Sequence, residues 1–267
     1  MVSYWRLLLL ALFAGVFIFF WDFIFLAPFK VFVVFLHEIS HAMGAILTGG
    51  TVNKITISWN ESGLTKTMGG NFLAIASSGY LGSIVWGSSM LYSSLQNKAP
   101  RIISSLTGSI LLYFTFRYFD DLEVSIFFLG LLWGLLFLAT CFFILKVNRF
   151  LLFFMGGLTS LYAVYDLGDF FRGDVLKTDA GIIARHYLGD MPSALPTAYF
   201  IGIFLSAVSI WIFIRLVYRA LHIAPVEEEI PQAEDADFTV NSLENIDPET
   251  LKLLELINRQ RIETQER

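Results

Sequence analysis

A chain of 267 residues that is 56% hydrophobic and only 15% charged is not an ordinary soluble domain. Its 27 phenylalanines are too many for one soluble core of this length, whereas a lipid-facing surface accepts them. With a net charge of −5, nucleic acid is not an expected partner, and the lone Cys141 excludes both an intrachain disulfide and a cysteine-based zinc cluster.

In chain order, about seven apolar segments approach the roughly 20 residues that a helix needs to cross hydrocarbon. The expected fold is therefore an all-α polytopic membrane protein of about seven transmembrane helices, integral and multi-pass in the bilayer, with one short β-hairpin. The first two segments lie within Tyr4 to Leu47 and turn near Ala27-Pro28-Phe29-Lys30. The opening stretch has no convincing small-residue cleavage site and reads as a retained anchor rather than a signal peptide.

The second segment carries His37-Glu38-Ile39-Ser40-His41, with Val31 to Leu36 before it and Ala42 to Leu47 after it. Residues i and i+4 share a helix face, so His37 and His41 can offer two imidazoles to one Zn2+ ion, with Glu38 beside them as the catalytic base that takes a proton from activated water. Ionisable groups in the middle of an apolar helix are costly and mark function by default.

Gly49 to Ser58 and Leu64 to Gly70, around the turn Trp59-Asn60-Glu61-Ser62-Gly63, read as a hairpin that could offer an edge strand to an extended substrate. The third segment, Asn71 to Leu95, concentrates Gly79, Gly82, Gly87 and small neighbours, which permits close packing on the metal helix. Later segments run near Ile102 to Tyr118, Val124 to Leu145, Phe150 to Leu167 and Thr197 to Tyr218.

A zinc hydrolase keeps three protein ligands and one open position. Asp166 is the first candidate for the third ligand because it closes a segment and can stand at the depth of the histidines. Asp179 and, one turn beyond Asp166, Asp169 are the alternatives. Asp179 precedes a helix-like Ala-Gly-Ile-Ile-Ala stretch, where it would also serve as an N-cap.

Residues 1–222 form the expected membrane domain. Residues 223–246, with Glu227-Glu228-Glu229 and Glu234-Asp235, read as an acidic disordered linker. Residues 247–267 read as an amphipathic helix that could dock a partner.

The string Phe35-Leu36-His37-Glu38-Ile39-Ser40-His41-Ala42, the Thr48-Gly49-Gly50 exit, the hairpin, Gly79-Tyr80-Leu81-Gly82, Tyr165-Asp166-Leu167 and Thr178-Asp179-Ala180 together resemble the site-2-protease-like intramembrane zinc metallopeptidases, in their small multi-span branch without PDZ or CBS domains. The resemblance implies a zinc metalloendopeptidase acting on membrane-spanning protein substrates. It implies His37 and His41 as ligands, Glu38 as base and an aspartate from a later span as third ligand. The better-studied branches carry that aspartate in Leu-Asp-Gly, where this chain has Tyr165-Asp166-Leu167-Gly168. Two other readings are a catalytically inactive relative acting as a membrane chaperone or regulator, and a polytopic transporter, although no internal repeat accompanies the latter.

Overall fold

Pro28 in the first turn, where no backbone N–H is needed, starts helix α1 (Ala27–Leu47) at the turn expected from the sequence. The computed structural model describes residues 15, 19–20, 23–96, 99–119, 124–165, 175–189 and 191–221, all within one compact unit, Met1–Val226. Most of the opening segment, the linker 223–246 and the helix expected over 247–267 lie outside the described residues.

Helix α1 is the core. Val31, Phe32, Val33, Val34, Phe35 and Leu36 are all buried, so every side of the helix meets protein. The hairpin follows as expected, with β1 (Thr51–Ile57) antiparallel to β2 (Gly63–Met68). A bulge between Val52 and Lys54 shifts the side-chain alternation, so the pairs Val52 with Thr67, Ile55 with Thr65 and Ile57 with Gly63 share one face. Ile55 and Ile57 drive that face into the core against α1. At the turn, Glu61 adopts a positive φ of 68° and pairs with Lys30 in the first turns of α1. Lys30 is thus buried without being left an uncompensated charge.

Helix α2 (Phe72–Ser94) is capped by Asn71, whose side chain accepts from the Ala74 amide. Then come α3 (Ala99–Tyr118), α4 (Val124–Phe143), α5 (Leu145–Tyr165), α6 (Asp179–Leu188) and α7 (Ala194–Leu221). Helix α2 packs against α1, α5 and α7, and α3 pairs with α4.

Three helices among the described residues are long and apolar enough to cross a membrane: Ile24–Leu47, Val124–Phe143 and Ala194–Arg215. That is fewer than the about seven expected from segment length. The segment from Tyr4 lies mostly outside the described residues. Helices α2, α3 and α5, at 23, 20 and 21 residues, have the length but not the apolar composition, for a packing reason. Helix α2 is wrapped by other helices, where close approach is served by Gly and Ser rather than by apolar bulk. Helix α5 starts five residues before the expected Phe150 and takes in Asn148, which is fully buried. The Asn148 amide donates to the Pro100 carbonyl and its Oδ1 accepts from Thr140, so this polar group is satisfied by neighbouring helices.

The α2–α5 contact gives a stability prediction. A Cβ at Gly87 would lie 2.5 Å from Ser160 Oγ and 2.6 Å from the Ser160 amide nitrogen, and the backbone cannot yield as a side chain can. Gly87→Ala is expected to cost about 1–3 kcal/mol by overpacking, read as a lower thermal midpoint in detergent. An unchanged midpoint would show that the two helices are not in such close contact.

Candidate metal centre

One turn of α1 separates His37 from His41, and the structure sets both rings toward α2 and α6. His41 Nδ1 lies 2.7 Å from the Ile75 carbonyl oxygen. A carbonyl only accepts, so in the neutral ring Nδ1 carries the proton and Nε2 presents a bare lone pair to the site. His37 Nδ1 lies 3.3 Å from the buried Ser83 hydroxyl, a contact that holds the second ring with its Nε2 toward the site. The two Nε2 atoms are 3.1 Å apart.

Asp179 completes the group. Its Oδ2 is 3.1 Å from His37 Nε2 and 3.2 Å from His41 Nε2, and among the described residues these three side chains form a metal-type cluster. The expected N-cap role does not hold for Asp179. Thr178 is the cap, its hydroxyl accepting from the Gly181 amide, and Asp179 is the first residue inside α6. With the cap supplied one position earlier, the Asp179 carboxylate is free to turn to the histidines. Asp166 and Asp169, the other expected candidates, lie outside the described residues. His186 is outside this cluster. It stands in the last turn of α6, stacked on Phe72 at 3.8 Å between ring centres.

The donor set suits a zinc ion by two tests. Ligand atoms about 2.0–2.1 Å from a tetrahedral zinc are about 3.3 Å apart, close to the nearly equilateral triangle of 3.1, 3.1 and 3.2 Å seen here. The second test is space. An ideal Cβ built on Gly79 of α2 would lie 2.5 Å from His41 Nε2 and 2.6 Å from His37 Nε2, so glycine leaves open the pocket toward which both nitrogens converge. From the sequence, Gly79 reads as a helix-packing residue and as part of the Gly79-Tyr80-Leu81-Gly82 element. Its link to the histidines is invisible without the α1–α2 register.

Glu38, about 100° further round α1 from His37, faces the hairpin instead. It is buried, and its Oε2 accepts a 2.6 Å hydrogen bond from the Thr65 hydroxyl on β2. Gly63, on the same face of β2, sits directly against the other carboxylate oxygen.

A family model described as Peptidase M50B-like matches residues 9–216. The chain belongs to that family. The match takes in α1, the hairpin and α6, and so every residue of the centre. It bears out the resemblance to site-2 proteases: this M50B-like chain is a peptidase of the site-2-protease type, and with its long apolar helices it is an integral membrane protein. Neither a curated protein nor a solved structure matches the M50B-like chain.

Proposed function

We propose that the chain is a multi-pass intramembrane zinc metalloprotease that cleaves membrane-spanning protein substrates, with His37, His41 and Asp179 as metal ligands and Glu38 as general base. The observation that carries this reading is the triangle of two Nε2 atoms and one carboxylate oxygen over the opening left by Gly79. A zinc ion held there would supply Lewis acidity toward a peptide carbonyl and make hydroxide available near neutral pH.

The chain's own residues supply the rest. Ile75 and Ser83 fix the imidazoles. Glu38 accepts the proton of the attacking water and returns it to the departing amine. A substrate helix must first unwind, because its carbonyls are otherwise bonded internally and covered. The outer edge of β2 pairs with no other strand among the described residues and could hold the unwound segment by strand addition.

The test uses purified protein and a single-span reporter reconstituted in liposomes. Near-stoichiometric zinc and reporter cleavage are expected of wild type. Glu38→Gln should keep the zinc and lose about 10²–10⁴-fold in cleavage rate. Well-folded wild type that takes up no zinc, even after metal addition, would overturn the proposal.

A further inference from the structure

The hairpin does more than flank the metal helix. Three observations place its inner face on the catalytic glutamate. The Thr65 hydroxyl lies 2.6 Å from Glu38 Oε2 and 3.0 Å from the Glu38 carbonyl oxygen. A hydroxyl has one proton, and the shorter contact has the length of a charge-assisted O–H···O⁻ bond, so the carboxylate is its acceptor. The residue two positions earlier on the same face is Gly63, where any Cβ would run into Glu38 Oε1. One carboxylate oxygen is therefore held by Thr65 and the other is seated directly against Gly63. Finally, the hairpin that carries both residues is anchored independently of Glu38, by Ile55 and Ile57 of the paired strand β1 in the core and by the Glu61–Lys30 pair at the turn.

We propose that Thr65 is a positioning residue for the catalytic base: its hydroxyl holds Glu38 Oε2 and, with Oε1 seated in the space kept by Gly63, fixes the rotamer from which the carboxylate exchanges protons with the reacting groups. This rests on the metallopeptidase reading above. Thr65 touches neither the metal ligands nor the reacting atoms in this role. It acts through Glu38, so its removal should matter only while Glu38 is present.

The experiment reads binding rather than turnover. A metal-binding hydroxamate shares its proton with the neighbouring glutamate, so the dissociation constant of acetohydroxamate for zinc-loaded protein reports how Glu38 is placed. Thr65→Val, of the same shape without the hydroxyl, is expected to keep wild-type zinc content and to bind acetohydroxamate about tenfold more weakly, as loss of a hydrogen bond to a charged group implies. Thr65→Ser should restore wild-type binding. Glu38→Gln should weaken binding as well, and the Thr65→Val/Glu38→Gln double variant should bind no more weakly than Glu38→Gln alone, since two residues acting as one unit are not additive. Binding by Thr65→Val equal to wild type, additive losses in the double variant, or a loss in Thr65→Ser as large as in Thr65→Val would each overturn the role of Thr65 while leaving the metal centre intact. Failure of the metallopeptidase reading looks different, since wild type would then hold no zinc. Should Thr65→Val not fold, Gly63→Ala provides the second variant. It is expected to weaken hydroxamate binding by crowding Oε1, and wild-type binding there would count against the assignment.

Discussion

Asp179→Ala is expected to abolish zinc binding and reporter cleavage together, while Asp166→Ala keeps both. Two imidazoles from adjacent turns of one helix are an incomplete set for a catalytic zinc site, which takes three protein ligands. Asp179 Oδ2 is the atom that closes the triangle in this structure. Removing it should cost more than about 100-fold in affinity, beyond the 10–100-fold typical of a lost outer-shell partner. Helix α6 itself should survive, because Thr178 retains the cap, and a carboxylate in the first turn contributes only about 0.3–1 kcal/mol through the helix dipole. Asp179→Asn, which keeps the shape, separates the loss of charge from the loss of volume. Metal analysis beside circular dichroism checks the result. Zinc retained by Asp179→Ala but lost from Asp166→Ala would return the third position to the aspartate that closes the preceding segment.

Gly79→Ala should have an equally complete effect on metal and a smaller cost in stability. The added carbon would sit 2.5–2.6 Å from both Nε2 atoms, nearer than non-bonded atoms approach, and in the space where the nitrogens converge. The histidines cannot simply turn aside, since His41 Nδ1 is tied to Ile75 and His37 Nδ1 to Ser83. Meanwhile alanine is about 1 kcal/mol better than glycine inside a helix, which offsets part of the crowding. The expected outcome is a folded protein with a thermal midpoint lowered no more than that of Gly87→Ala, no stoichiometric zinc and no detectable cleavage. Wild-type zinc affinity in Gly79→Ala would mean that the metal sits elsewhere.

Much of this arrangement was legible before any coordinates. The spacing of His37 and His41 follows from the helix period, and the costly placement of three ionisable groups in an apolar run marked them as functional. The hairpin was readable from two β-branched runs about a Gly/Asn/Ser turn, and the start of α1 from Pro28. From the sequence, Asp179 stands behind Asp166 as a third ligand because a cap role already accounts for it. Thr178 and Asp179 are both good capping residues, and which of two neighbours caps a helix depends on backbone angles that composition does not encode. Among the described residues three helices are long and apolar enough to cross a membrane, because length and apolar content diverge where a helix is surrounded by protein, as α2 is. Asn148 falls between two expected segments yet is buried within α5, where its two neighbours, Thr140 and the Pro100 carbonyl, come from other helices.

The sequence by itself determined the membrane class, the sharing of one helix face by His37 and His41 with Glu38 beside them, and the hairpin that follows, because each depends on local periodicity or on composition. Only the tertiary structure decided which carboxylate meets the histidines, that Gly79 keeps the space between them, and that Thr65 rather than Thr67 holds Glu38. Those facts depend on the register of α2, β2 and α6 against α1. Register is set by how surfaces distant in the chain fit together, and no local pattern of residues specifies it.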